Sequence, residues 1–185
     1  MKYKVIDNFL DEEYFDSLVT LFTDKEKSRD LKRRDWNPHT AWFFISSISH
    51  AAVVEDNLFY MTHTIYDDNI PLSDHFKKIW PLMSKLDVKA LIRIKANLYP
   101  NTQTLHEHPM HTDYPYSHSG AILSLNTCDG YTKFKDGTKI NSVANRILLF
   151  NASEEHCSTT TTNEAARFNI NINYIQPQDM KEQYD

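Results

Sequence analysis

Glycine and cysteine are scarce in this chain. The three glycines all fall in the second half, so there is no Gly-rich loop of the kind that cradles phosphates. Two cysteines, Cys128 and Cys157, are too few for a disulfide framework, which makes a reducing cytoplasm the expected location. No apolar run approaches a membrane span, and residues 1–9 carry no signal-peptide core. Positive charge is also short. Twenty Lys and Arg against 25 Asp and Glu leave a net charge of -5, which argues against a dedicated nucleic-acid binder. The 185 residues, 41% hydrophobic, suit one compact domain with a real core.

Histidine is plentiful. There are nine, and His106, His108 and His111 lie within six residues, a clustering that points to metal.

The periodicities divide the chain. Residues 3–9 read as a strand. A helix follows over 11–22, with Phe15, Leu18, Val19 and Phe22 on one face, Asp11 as N-cap, and Leu10 and Phe15 placed for a hydrophobic staple. Residues 24–40 mix Lys and Arg with acids and Trp36, the pattern of a solvated face or of a lid over a substrate. Trp42, Phe43 and Phe44 begin a strand, and 51–70 has no clear pattern. A second helix is expected over 73–86, with Phe76, Ile79, Trp80 and Met83 on one face and Pro81 kinking or splitting it. From Val88 the period becomes two. Ile92, Ile94, Ala96 and Leu98 alternate with Arg93, Lys95, Asn97 and Tyr99 until Pro100. Further strands are expected near 119–126, 131–135, 138–141, 145–151, 155–161 and 166–176, with Asp136-Gly137 as a hairpin turn. Helices first and many short strands after predict an α+β, mainly β, domain: helical support over 1–88 and an antiparallel sandwich or barrel over 89–176.

The chemistry centres on His111-Thr112-Asp113. In a strand, residues two apart share a face with Cα atoms about 6.5–7 Å apart, so both side chains can reach one ion. A distant histidine completes two imidazoles and one carboxylate, the facial triad of non-haem Fe(II) oxygenases, with three coordination positions left open. Alone, H-x-D is a common tripeptide. Here the apolar run 147–150 and a polar turn lead to His156. Eleven residues later Arg167 opens an alternating strand, with Arg167, Asn169, Asn171 and Asn173 against Phe168, Ile170, Ile172 and Tyr174. The polar row either lines a barrel that holds a polar ligand, Arg gripping a carboxylate with its planar fork, or faces water.

This order, H-x-D, then a strand ending at Phe150, then His156, then Arg167, resembles the Fe(II)/2-oxoglutarate-dependent dioxygenases, and within them the small prolyl 4-hydroxylase-type enzymes of bacteria and phages. The resemblance covers roughly residues 90–175, with a looser match at Val5-Ile6-Asp7-Asn8-Phe9-Leu10. Leu98-Tyr99-Pro100 resembles the segment bearing a cosubstrate-binding Tyr, Leu123-Ser124-Leu125-Asn126 the strand after the first two ligands, and Gly130-Tyr131-Thr132-Lys133-Phe134 the Gly-rich turn and its strand. The resemblance implies a double-stranded β-helix (jelly roll) with helices outside the major sheet. Iron would be held by His111, Asp113 and His156, and the distal carboxylate of 2-oxoglutarate by Arg167. O₂ would be the oxidant and ascorbate a possible reductant. Two features depart from the family pattern. The spacing from His156 to Arg167 is longer than in animal relatives, and Ser124 stands where many relatives have a second cosubstrate-binding Tyr. Asn97-Leu98-Tyr99 and Arg167-Phe168-Asn169 also resemble the N-x-Y and R-x-N pairs of the nucleic-acid dealkylase branch, which would place Asn97 and Asn169 on the cosubstrate.

The expected activity is hydroxylation of an aliphatic C–H, on a peptidyl proline or a small molecule, in the cytoplasm (a host's, for a phage protein). The alternatives are an oxidative dealkylase acting on nucleic acid and a non-catalytic jelly-roll binding module. His106 and His108 are expected at the pocket mouth or in solvent, His118 near the rim, and His39, His50, His63 and His75 at the surface or in structural roles.

Overall fold

The structure is a computed structural model that describes residues 3–23, 40–46 and 58–176. The expected lid or solvated face at 24–40 falls, up to residue 39, outside the described residues.

The elements in order are β1 (Tyr3–Ile6), α1 (Glu12–Thr23), β2 (Phe43–Ile45), β3 (Tyr60–Asp67), β4 (Ile70–Pro71), α2 (Phe76–Lys85), β5 (Ala90–Pro100), β6 (Ser119–Ser124), β7 (Tyr131–Phe134), β8 (Lys139–Asn141), β9 (Ile147–Asn151), β10 (His156–Cys157) and β11 (Ala166–Ile175). An eight-stranded sheet runs β1-β9-β6-β11-β5-β3-β2, with β4 paired to β3; a three-stranded sheet runs β10-β7-β8. All strand pairs within both sheets are antiparallel. This is the expected jelly roll. The N-terminal part is more than helical support, because it adds β1, β2, β3 and β4 to the large sheet.

Helix α1 starts as its sequence dictates. Asp11 Oδ1 accepts the Tyr14 N–H at 2.9 Å, two acids follow in the first turn, and Leu10 and Phe15 are both buried. Helix α2 is not split at Pro81, and it departs from expectation at Trp80. Pro81 lies inside it and the helix continues past it to Lys85. Pro81 and the residue one turn back, Lys77, both face solvent, so water can take up the freed Lys77 carbonyl. Trp80 is 61% exposed; Ile79, Leu82 and Met83 form the buried face instead. Strand β3 has no counterpart in the sequence reading. Its period-two pattern is Tyr60, Thr62, Thr64 against Met61, His63, Ile65. It ends in a tight turn where Asp68 and Asn69 take positive φ, so Asp67 pairs with Ile70. Gly137 (φ 89) makes the β7–β8 turn as Asp136-Gly137 predicts.

The two faces of the large sheet differ. On the outer face Ile94, Ala96, Ala121, Leu123, Ile170, Ile172 and Tyr174 pack with Phe15, Leu18 and Phe22 of α1 and Ile79, Leu82 and Met83 of α2 in the main core. The inner face splits. Ile122, Leu148 and Phe150 close a small apolar cluster against Phe134 of the small sheet. Beside it, β5 and β11 pair Tyr99 with Arg167, Asn97 with Asn169, Lys95 with Asn171, and Arg93 with Asn173. The Arg/Asn row therefore faces the interior, with Arg167 1% and Asn173 0% exposed.

Candidate metal centre

His111 and His156 lie 45 residues apart in sequence and exchange both backbone hydrogen bonds, N to O at 2.9 Å each way. That bridge sets their rings side by side, with centroids 4.8 Å apart. Asp113 is fixed two residues on by its own N–H to the Ala152 carbonyl, 3.0 Å. One ligand atom from each of His111, Asp113 and His156 lies within 4.8 Å of the others, so the three could hold one metal ion.

The neighbours prepare these donors. His111 Nδ1 meets the Pro109 carbonyl at 3.2 Å and His156 Nδ1 the Glu154 carbonyl at 2.9 Å. A carbonyl only accepts, so each Nδ1 carries the hydrogen and each Nε2 keeps a free lone pair. Burial holds the His111 pKa down, with His156 adding to the effect. The Asp113 carboxylate accepts from Arg93 Nη2 (3.1 Å), Asn173 Nδ2 (2.9 Å) and Asn171 Nδ2 (3.3 Å). Burial by itself would raise its pKa. The charges of His156, Lys95 and Arg93 and the Asn173 hydrogen bond outweigh that and hold it well below the usual carboxylate range.

His118 is fully buried, away from the rim where it was expected. Its Nδ1 meets the Tyr116 carbonyl at 2.8 Å, leaving Nε2 to accept from Asn173 Nδ2 at 3.2 Å. Asn173 Oδ1 in turn accepts from Arg93 at 3.3 Å. Arg93, His118 and Asn173 thus form the frame that orients Asp113. The period-two pattern put Arg93 and Asn173 on the polar faces of their strands; nothing in the sequence tied His118 to them.

Arg167 lies at the other end of the polar row. Nη1 donates to the Tyr131 carbonyl at 2.8 Å and Nη2 to Thr132 Oγ1 at 3.1 Å, while Nε is buried with no partner. Gly130 is required here. A Cβ on it would lie 2.8 Å from Arg167 Cδ and from the Thr160 carbonyl oxygen. The longer His156–Arg167 spacing is taken up by the threonine run. Asp129 caps it, accepting from Thr161 Oγ1 (2.7 Å), the Thr162 N–H (2.9 Å) and Thr162 Oγ1. Tyr99 stacks on Tyr60 and packs against His108, with the Arg167 guanidinium 5.5 Å from its ring centre. Burial raises the Tyr99 pKa and lowers that of Arg167. Asn97 Nδ2 donates to Asn169 Oδ1 at 2.9 Å between the two ends. Ser124 is buried opposite Asn169.

His108 also corrects an expectation. It is 3% exposed, its Nδ1 pairs with Ser158 Oγ at 3.0 Å, and its Nε2 has no partner. Burial pushes its pKa down to about 4, so it is neutral at physiological pH. Only the clustering of histidines hinted at it. His106 is exposed as expected, and His63 and His75 are structural, at the β3–α2 junction. Cys157 is a small buried strand residue whose pKa burial raises.

The donor set suits iron with 2-oxoglutarate. Two imidazoles with free Nε2 lone pairs and one ionised carboxylate suit a divalent ion, and the buried Arg167 Nε–H, which has no partner, awaits an acceptor.

No protein-family model matches the chain, and no curated protein matches it by sequence. Solved structures do match. A prolyl hydroxylase from Trichoplax adhaerens, in complex with a hypoxia inducible factor oxygen degradation domain peptide fragment, aligns with TM-score 0.59 and 14% identity over 99% of this chain and 87% of that one. A Pseudomonas putida prolyl-4-hydroxylase gives 0.55 and 14% over 94% and 92%. HygX from Streptomyces hygroscopicus, with nickel and 2-oxoglutarate bound, gives 0.57 and 9% over 95% and 83%. The chain therefore has the double-stranded β-helix fold of the 2-oxoglutarate oxygenases.

Proposed function

We propose that this protein is an Fe(II)- and 2-oxoglutarate-dependent dioxygenase that hydroxylates an aliphatic C–H bond. The observation that carries this reading is the convergence of His111, Asp113 and His156 beside an inward-facing polar row whose other end is a buried Arg167 with a free N–H. His111, Asp113 and His156 would hold the iron. Arg167 would bind the distal carboxylate of 2-oxoglutarate, and Tyr99, Asn97 and Asn169 would line its path. When bound, iron and 2-oxoglutarate supply the oxidising power: O₂ converts the cosubstrate to succinate and CO₂ and leaves a hydroxyl on the substrate carbon. Ascorbate would serve as the external reductant.

The protein's own share is preorganisation. The two Nδ1–H groups fix the imidazole tautomers, and Arg93, Asn171 and Asn173 keep Asp113 ionised and turned to the ion. Beside the site, Tyr99 stacks on Tyr60, and Phe150 of the small apolar cluster packs edge-on against the His156 ring, which keeps that side of the ligand apolar. One neighbour of the same fold was solved with a peptide fragment, which supports a peptide as one substrate class; a small molecule is the other. Among the described residues no helix is long and apolar enough to cross a membrane.

The test is production of succinate from 2-oxoglutarate with Fe(II), abolished by His111→Ala. Intact, iron-loaded protein that neither binds nor consumes 2-oxoglutarate would overturn the proposal. Metal analysis of protein purified without oxygen separates it from a non-catalytic module: iron near one per chain supports the enzyme, and its absence after reconstitution favours the module.

A further inference from the structure

Between Asp113 and the Asn97–Asn169 pair, the inner face of the sheet carries a side chain, Lys95, and a side-chain oxygen, Asn171 Oδ1, that the dioxygenase chemistry does not use. Lys95 and Asn171 are directly opposite in the β5–β11 register, and both point inward. Lys95 is half-buried and, among the described residues, has no hydrogen-bond or ion-pair partner. The carboxylates that act on it, Asp113 and Asp67, lie beyond ion-pair distance, and its amine sits 5.7 Å from the Tyr60 ring centre. Burial, with the Arg93 charge adding to it, lowers its pKa to about 8, so it is still mostly protonated at neutral pH. Asn171 gives its Nδ2 to Asp113, while its Oδ1 is buried and has no partner.

An unpaired ammonium beside a divalent metal site is unfavourable unless a ligand neutralises it. Arg93 already pairs with Asp113. Arg167 lies four residues further along the sheet, roughly 13 Å, where the distal carboxylate of the cosubstrate belongs. A peptidyl prolyl unit is neutral and would leave Lys95 unpaired. Among the described residues, the Lys95 cation facing the free Asn171 Oδ1 acceptor is the complement of a zwitterion.

Resting on the dioxygenase reading, we propose that Lys95 and Asn171 hold the head group of a free α-amino acid substrate. The Lys95 ammonium binds its carboxylate, and Asn171 Oδ1 accepts a hydrogen from its ammonium. The side chain is then left to present its C–H to the open side of the metal.

The experiment is calorimetry on the protein loaded with Ni(II), which does not turn over, and 2-oxoglutarate. The protein is titrated with the free L-amino acids and with their N-acetyl amides. At least one free amino acid is expected to bind saturably, its N-acetyl amide at least tenfold more weakly. Lys95→Met should remove that preference and Lys95→Arg keep part of it, with 2-oxoglutarate affinity in both within about twofold of wild type. The inference is overturned if no free amino acid binds, if acids and amides bind alike, or if Lys95→Met weakens 2-oxoglutarate instead, because the amine then serves the cosubstrate. Failure of the wild type to bind 2-oxoglutarate at all would bring down the dioxygenase reading and this inference with it.

Discussion

Phe168, Ile170, Ile172 and Tyr174 occupy one face of β11; Arg167, Asn169, Asn171 and Asn173 occupy the other. All but Phe168 and Asn171 are more than 95% hidden from solvent. Their contributions are nonetheless opposite in kind. Each apolar side chain on the outer face contributes roughly 1.5–3 kcal/mol by leaving water. Each polar one on the inner face gains about what it loses, and only when every N–H and C=O finds a partner. Burial alone does not separate core from site in this molecule. The atoms left without partners do, and among the described residues all four such atoms, on Arg93, His108, Arg167 and Asn171, lie on the inner side.

Four substitutions probe that contrast. His111→Ala, on the inner side, should abolish iron binding while the far-ultraviolet circular dichroism stays native; metal content per chain is the measure. Ile170→Ala, on the outer face, should cost about 2–5 kcal/mol in urea unfolding and leave iron content unchanged. Arg167→Met should weaken 2-oxoglutarate about 30- to 100-fold by loss of a charge-assisted pair, read by calorimetry, with iron retained. Lys95→Met should stabilise the ligand-free protein by about 1 kcal/mol near pH 7 by removing an uncompensated ammonium. The folded pKa of Lys95, about 8, lies below its ordinary 10.5. Between these values the unfolded chain binds more protons, so wild-type stability rises with pH there. The advantage of Lys95→Met is therefore full below pH 8 and shrinks to nothing by about 10.5. Unfolding at a series of pH values checks this, and a gain that persists at pH 11 would assign the effect to packing.

Most of the fold was legible because period-two alternation in β5 and β11 is long and clean, and because Asp11 and Asp136-Gly137 mark a helix start and a turn chemically. The inward face of the Arg/Asn row was left open between cavity and water, because alternation shows that two faces differ but not which one a helix covers. Strand β3 was missed because each of its faces mixes polar with apolar residues, Tyr60 with Thr62 and Thr64 on one and His63 with Met61 and Ile65 on the other, a weak contrast in hydrophobicity. The buried positions of His108 and His118 were illegible because each depends on a partner far away, Ser158 for one and Asn173 for the other. Trp80 was assigned to the core because it shares a helical face with Phe76 and Met83, although the arc set by Ile79, Leu82 and Met83 leaves it outside.

Strand β11 comes last among the described residues and sits in the middle of the large sheet, between β6 and β5. A ribosome that has made everything up to residue 165 has therefore produced two half-sheets with unsatisfied edges and no strand to join them. The three proposed iron ligands are already synthesised by then, but Asp113 has neither Asn171 nor Asn173 to orient it. Maturation of the site thus waits on β11. Translation that stalls shortly before residue 166 should yield a chain prone to aggregate, with a half-built pocket for metal.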